Sequence, residues 1–233
     1  MVYVSSDWHG IPLEFIEKLL KKADFSDDDF LFVLGDVIDR GENGVELIKK
    51  IMFAPNIKLI RGNHEEMLLS CSFLFDEITE DTVNDFNVSK MLSLRNWQHN
   101  GGDATIGGLI GETVEMRNMI LEFLWETPFY DTVSLGERDF LLVHGGLPLD
   151  ENGRIMRLSE CSEHDLLWIR PELTTRYSED FTTILGHTPT SFYGKEYQGK
   201  ILKTDTWVNV DTGAAYGLYP CLLRLDDMQE FYL

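Results

Sequence analysis

The sequence predicts an α/β fold, and three observations carry that expectation. Short β-prone runs alternate with segments of helical apolar spacing through the first third of the chain. One run, Phe30 to Leu34, is apolar without a break, as suits a strand covered on both faces. The predicted strands also tend to end in glycine beside Asp, Asn or His.

The elements follow in order. Val2 to Ser5 reads as a strand. Pro12 to Lys22 places Leu13, Ile16, Leu19 and Leu20 at helical spacing, with Pro12 suited to a first turn. Phe30 to Leu34 is the second strand, Val45 to Met52 a helix, and Ile57 to Ile60 the third strand. Glu65 to Thr127 is mostly helical, with an acidic irregular patch near Asp76 to Asp85 and a glycine break at Asn100-Gly101-Gly102. It reads as a cap, about residues 76–130, inserted into a single domain spanning 1–233. Strand signals return at Phe140 to Val143, Thr182 to Leu185, Lys200 to Val210 and Cys221 to Leu225, close enough at the end to suggest hairpins.

Bulk properties narrow the classes. The 233 residues suffice for one substantial core, and 43% hydrophobic with 26% charged is a globular balance. No apolar run approaches the roughly 20 residues of a membrane span. The start, MVYVSSDWHG, lacks the regions of a signal peptide, so a cytoplasmic location is the expectation. Cys71, Cys161 and Cys221 are far apart and odd in number, which fits reduced thiols. A net charge of −20 repels nucleic-acid phosphates and argues against a duplex-binding face.

The chemistry collects at strand ends. Asp7 and His9 follow the first strand; Asp36, Asp39 and Arg40 the second; Asn63 and His64 the third. His144 and His187 follow two of the later ones. Ligands in α/β sheets bind outside the carboxyl ends of strands. Carboxylate, amide and imidazole donors together suit first-row divalent metals, and the lack of cysteine ligands argues against structural zinc. Singly, each motif has a plainer reading, such as a helix N-cap or a turn with a hydrogen-bonded histidine. Asp211-Thr212-Gly213 reads as an ordinary turn. Their joint occurrence is what points to a site. No HExxH, EF-hand, P-loop, GxGxxG or GxSxG motif is present.

Asp7-x-His9, Gly35-Asp36-x-x-Asp39-Arg40-Gly41, Gly62-Asn63-His64-Glu65, His144-Gly145-Gly146 and Gly186-His187 together resemble the calcineurin-like metallophosphoesterases. More narrowly they are similar to the phosphoprotein-phosphatase branch, in its small bacterial and phage members of the lambda phosphatase and diadenosine tetraphosphate hydrolase types. The resemblance implies a four-layer sandwich of two packed mixed β-sheets flanked by helices, with a helical cap. It implies two divalent metal ions, Mn²⁺ foremost, with Fe or Zn²⁺ as alternatives. Asp7 and His9 would hold one metal, Asn63, His144 and His187 the other, and Asp36 would bridge. Arg40 and, in Leu167-Trp168-Ile169-Arg170, Arg170 would grip phosphate. His64 would be the general acid, with Asp39 orienting its ring and favouring the imidazolium. The sequence departs from the family at Ser6, where glycine is usual and little effect is expected, and at Trp8, which either shapes the pocket or packs.

The implied reaction is hydrolysis of a phosphate monoester, such as phosphoserine or phosphothreonine in a protein, by a hydroxide formed between two metals. The alternative keeps the site but cleaves a dinucleoside polyphosphate or a nucleotide cap; an aromatic shelf near Trp97 and Asn100 would favour it. A non-catalytic scaffold on the same fold is the third reading, and the full ligand set argues against it.

Overall fold

The computed structural model describes residues 1–233. The chain begins β1 (Val2–Ser5), α1 (Leu13–Lys22), β2 (Phe30–Val33), α2 (Gly44–Phe53), β3 (Ile57–Leu59), α3 (Asn63–Ser70). Inserted helices follow: α4 (Glu80–Asn84), α5 (Val88–His99), α6 (Asp103–Ile110) and α7 (Val114–Glu126). The second half runs β4 (Tyr130–Leu135), β5 (Arg138–Val143), α8 (Glu163–Trp168), β6 (Thr182–Leu185), β7 (Leu202–Lys203), β8 (Trp207–Asn209), β9 (Leu222–Arg224) and β10 (Gln229–Phe231).

These strands form two mixed five-stranded sheets, ordered β10-β9-β1-β2-β3 and β4-β5-β6-β8-β7. β1, β2 and β3 are parallel, as are β5, β6 and β8. β9 and β10 extend the first trio on its β1 side, and β4 and β7 flank the second on either side. Side-chain alternation assigns the layers. Phe32 and Leu34 face a core shared with Phe140, Leu142, Ile184 and Val208 of the other sheet. Leu31 and Val33 point the opposite way, into a core with Leu19, Leu47 and Ile48 from helices. Leu141, Val143, Leu185 and Trp207 pack with Leu166 of α8 on the far side. The result is helices, sheet, sheet, helices: the expected α/β sandwich.

The expected elements are present, and the final strands do form hairpins, β7 with β8 and β9 with β10. Lys200 to Val210 divides into two strands because Thr204 turns the chain: its amide donates to the Trp207 carbonyl, and its hydroxyl accepts from the Trp207 amide. β4 and β10 were not anticipated. β4 is an edge strand of alternating exposed and half-buried residues, so it lacks the apolar run that marked the others. Cys71 and Cys221 are buried, Cys161 is half-buried, and all three are free thiols. No helix is long and apolar enough to cross a membrane.

Both parallel trios end at the same rim, and the loops after β2 and β3 nearly touch there. Gly35, at φ +77°, lies so close to Gly62 that a Cβ would overlap its backbone. Gly136 has a similar φ of +64° in open space. Replacement of Gly136 by alanine therefore costs only the left-handed conformation, about 1–2 kcal/mol. Gly35→Ala adds a backbone collision and is expected to cost clearly more in urea unfolding; equal losses would show that the rim can relax.

Candidate metal centre

Eight non-glycine residues have positive φ, and six of them are Asp7, His9, Asp36, Asp39, Arg40 and His187. Such conformations are disfavoured for residues with a Cβ and concentrate where surrounding structure imposes them. Here the imposing structure is a web of backbone bonds between loops. The Asp7 amide donates to the Gly35 carbonyl at 3.1 Å, that of His9 to Asp36 at 2.9 Å, and that of Gly10 to Val37 at 2.8 Å. Glu65, fully buried, accepts from the amides of Asp36 (2.8 Å), Val37 (2.9 Å) and Gly62 (3.0 Å). It thereby pins the loop after β2 to the start of α3. The sequence reading quoted Glu65 within its motif but gave it no role; glutamate at the third position of a helix, reaching back to the amide before it, was the available signal.

The candidate ligands converge. Asp36 Oδ2 lies 3.7 Å from His9 Nε2, and Asp36 Oδ1 lies 3.4 Å from His144 Nε2. Asp7 Oδ1 is 3.8 Å from His9 Nε2. His144 Nε2 is 2.9 Å from Asn63 Oδ1. His9 and His144 donate their Nδ1 protons to the carbonyls of Ile38 (3.2 Å) and Leu34 (2.6 Å), leaving both Nε2 atoms turned to the centre. Metal-binding histidines are oriented in this way. Asp36, His144 and His187 form one group able to hold a cation. His187 Nε2 is buried with no hydrogen-bond partner, an orphan that a cation would satisfy. His9 and Asp36 group with His64 by distance alone. However, His64 Nδ1 is 2.6 Å from Asp39 Oδ2, and Arg40 donates to its Nε2 at 3.4 Å, so Asp7 is the better partner for His9.

The electrostatics favour cations. Burial pushes Asp36 well above the usual carboxylate range, and the charges of Asp7 and Glu65 add to the effect. Burial raises Asp7 too. Asp211, set aside from the sequence as a turn residue, is buried in the same cleft and pushed well up by burial and by Asp7. Its Oδ1 also accepts from the Gly213 amide at 2.9 Å, so it makes the turn and faces the site. His9 and His187 are lowered, chiefly by burial.

The Asp39–His64 pair is held from the inserted helices. Trp97 Nε1 donates to Asp39 Oδ2 at 2.8 Å, and Thr105 Oγ1 donates to Asp39 Oδ1 at 2.6 Å. The Arg40 amide donates to the Gly101 carbonyl at 3.0 Å. Burial raises Asp39 to about 7, against the lowering effect of those side-chain bonds and Arg40. One expectation needs correction: Asp39 does not keep His64 as an imidazolium. Burial, then Arg40 and His144, hold its pKa well below the ordinary value. Desolvation of the cation outweighs a carboxylate that is itself weakened as an anion.

Arg40 and Arg170 both line the cleft, and Arg170 is held by Thr188 Oγ1 at 3.3 Å. No serine or cysteine lines it. Trp8 packs in the core, donating to Ser5 Oγ at 2.8 Å. Ser6 Oγ bonds to the Asp7 carboxylate, so the departure from glycine touches a candidate ligand directly.

A family model for calcineurin-like phosphoesterases matches residues 1–212. The chain belongs to the calcineurin-like phosphoesterase family. It is 36% identical over 100 residues to a symmetrical bis(5'-nucleosyl)-tetraphosphatase of Buchnera aphidicola subsp. Schizaphis graminum, covering 41% of this chain and 36% of that one. The match thus spans little more than a third of that relative. A solved structure described as a candidate diadenosine tetraphosphatase superposes with TM-score 0.66 at 14% identity, covering 100% of this chain and 92% of that one. A protein serine/threonine phosphatase from Saccharomyces cerevisiae superposes with TM-score 0.51 at 17% identity, covering 90% of this chain and 66% of that one. At these identities the two structures speak to the fold.

The pKa directions set a pH dependence. Carboxyls raised in the folded chain stabilise it fully below about pH 4, and that contribution is lost as pH rises through their folded values. Lowered histidines act oppositely, losing their contribution below about pH 6.5. Between about pH 7 and about pH 8.5 the carboxyl effect dominates. The thermal midpoint of chelator-treated protein is expected to fall across that window, and added Mn²⁺ to raise it more at the higher pH. A midpoint flat across the window would contradict the crowded-carboxylate account.

Proposed function

We propose that this chain is a dinuclear-metal-dependent hydrolase of phosphate esters or anhydrides. Asp7 and His9 would hold one cation and Asn63, His144 and His187 the other, with Asp36 available to both. The observation that carries the reading is that carboxylate, amide and imidazole donors converge on Asp36 from opposite sides. Such donors suit Mn²⁺ first, with Fe or Zn²⁺ next. When bound, the two cations supply Lewis acidity and make a water nucleophilic near neutral pH.

The protein's own groups do the rest. Arg40 and Arg170 meet phosphate oxygens with planar, permanently charged forks. The Arg40 backbone is fixed by the hydrogen bond that its amide donates to the Gly101 carbonyl, so its guanidinium starts from a set position. His64 delivers a proton from Nε2 to the leaving oxygen while Asp39 steadies Nδ1. In the free chain burial and Arg40 keep this imidazole neutral; the negative charge of a phosphate in the cleft shifts the balance towards protonation. Asp39, clamped by Trp97 and Thr105, keeps the ring from turning. No serine or cysteine lines the cleft, so a covalent route through an aliphatic hydroxyl or a thiol finds no nucleophile there.

The Buchnera relative bears the name of a nucleotide-anhydride hydrolase, which supports placing nucleoside polyphosphates ahead of phosphoproteins as substrates. The motif resemblance to phosphoprotein phosphatases keeps phosphoserine and phosphothreonine as the second class.

Chelator-stripped protein assayed on p-nitrophenyl phosphate tests the reading: Mn²⁺ is expected to restore turnover, and a folded, metal-loaded protein inert on monoesters and dinucleoside polyphosphates alike would refute it. Asp36→Asn should stay folded by circular dichroism yet lose most activity, about 100-fold or more; near-normal turnover would remove Asp36 from the centre. His64→Asn should slow alkyl phosphates more than aryl phosphates with good leaving groups. Equal losses on both would argue against proton donation by His64.

A further inference from the structure

Trp97, near which an aromatic shelf would favour a nucleotide, is fully buried and committed to Asp39. The cleft has a different aromatic wall. Phe192 and Tyr216 both line it, with ring centroids 5.8 Å apart and planes inclined at 58°. Both rings are largely exposed, at 62% and 60%. Neither contributes to any of the three buried cores, so their packing does not explain them.

The pair is held in place by the loops that carry it. Phe192 ends the helical turn Thr190–Phe192 after β6, and Tyr216 ends the turn Ala214–Tyr216 after β8. Asn209 Nδ2 donates to the Thr188 carbonyl at 2.8 Å, and the Thr190 amide to the Asp211 carbonyl at 2.9 Å. These bonds tie the two loops together. The same loops carry His187 and Asp211, so the rings have a fixed relation to the candidate metal centre. The Arg40 guanidinium lies 5.8 Å from the Tyr216 ring centre, so the phosphate grip and the aromatic wall are adjacent.

We propose that Phe192 and Tyr216 form a platform that stacks the nucleobase of a nucleotide whose phosphate lies between Arg40 and Arg170. The inference rests on the phosphoryl chemistry proposed above and assigns its specificity to two residues. Planar π-faces next to a fixed cation match a ligand with an aromatic ring at one end and phosphate at the other. A phosphoserine or phosphothreonine side chain has no ring to place there.

Binding tests this apart from turnover. Mn²⁺-loaded protein is titrated calorimetrically with hydrolysis-resistant phosphonate analogues of adenosine 5'-monophosphate and of ribose 5-phosphate, which differ only by the base. The base is expected to tighten binding about 5- to 100-fold, the range that base–aromatic stacking supplies. That ratio should fall towards one in Phe192→Ala and in Tyr216→Ala, and persist in Tyr216→Phe. Equal binding of the two ligands by the parent protein, or a ratio unchanged by both alanine variants, would overturn the platform. Phenyl phosphonate, the mimic of an aryl phosphate such as phosphotyrosine, is the control; tightening equal to that of the nucleotide analogue would overturn the assignment to a base. Failure of the hydrolysis reading shows as absent turnover with this ratio intact; failure of the platform shows as turnover without it.

Discussion

Crowded negative charge in a dry crevice is the constraint on which the rest of this structure depends. Asp7, Asp36 and Asp211 are each about 2% exposed, and Asp39 is not exposed at all. A buried, unpaired carboxylate is costly, and neighbouring ones raise the cost. Arg40 is the cation that recurs among the influences on these groups, and one guanidinium cannot balance them. The fold accepts this cost at one rim and nowhere else in its core. Positive backbone angles, the three amides gathered by Glu65 and the close approach of Gly35 to Gly62 are what hold the carboxylates in place. Divalent cations resolve the repulsion, and the orphaned nitrogen of His187 marks one place for them.

The inserted helices take part in the same arrangement. Trp97 and Thr105 occupy both oxygens of Asp39, and Gly101 fixes Arg40 through its carbonyl. Arg61 ties the other end of the insertion to the strand rim, donating to the carbonyls of Leu124 (2.9 Å) and Trp125 (2.6 Å). The insertion thus holds the candidate acid's partner and one phosphate clamp. A change in this region that leaves every ligand untouched can therefore disturb proton transfer.

Much of this was legible in the sequence because two strong signals coincided. Phe30 to Leu34 showed a doubly covered strand, and the glycine, two aspartates and arginine that follow it looked like a site for something charged. What escaped lacked such a signal. β4 alternates weakly at an edge, and β10 has three residues. Asp211 looked like a turn because it is one; its second role appears only when β8 is set beside β6. Phe192 and Tyr216 lie far apart in sequence and carry no motif, so only the paired loops bring them together. The state of His64 was misread because proximity of a carboxylate was given more weight than burial, and burial is not visible in a motif.

The most direct test of the central claim is anomalous scattering from crystals grown with Mn²⁺. Two peaks should flank Asp36, one beside Asp7 and His9, the other beside Asn63, His144 and His187. A single peak, or peaks away from Asp36, would mean that the crowded carboxylates do not serve as a two-cation site.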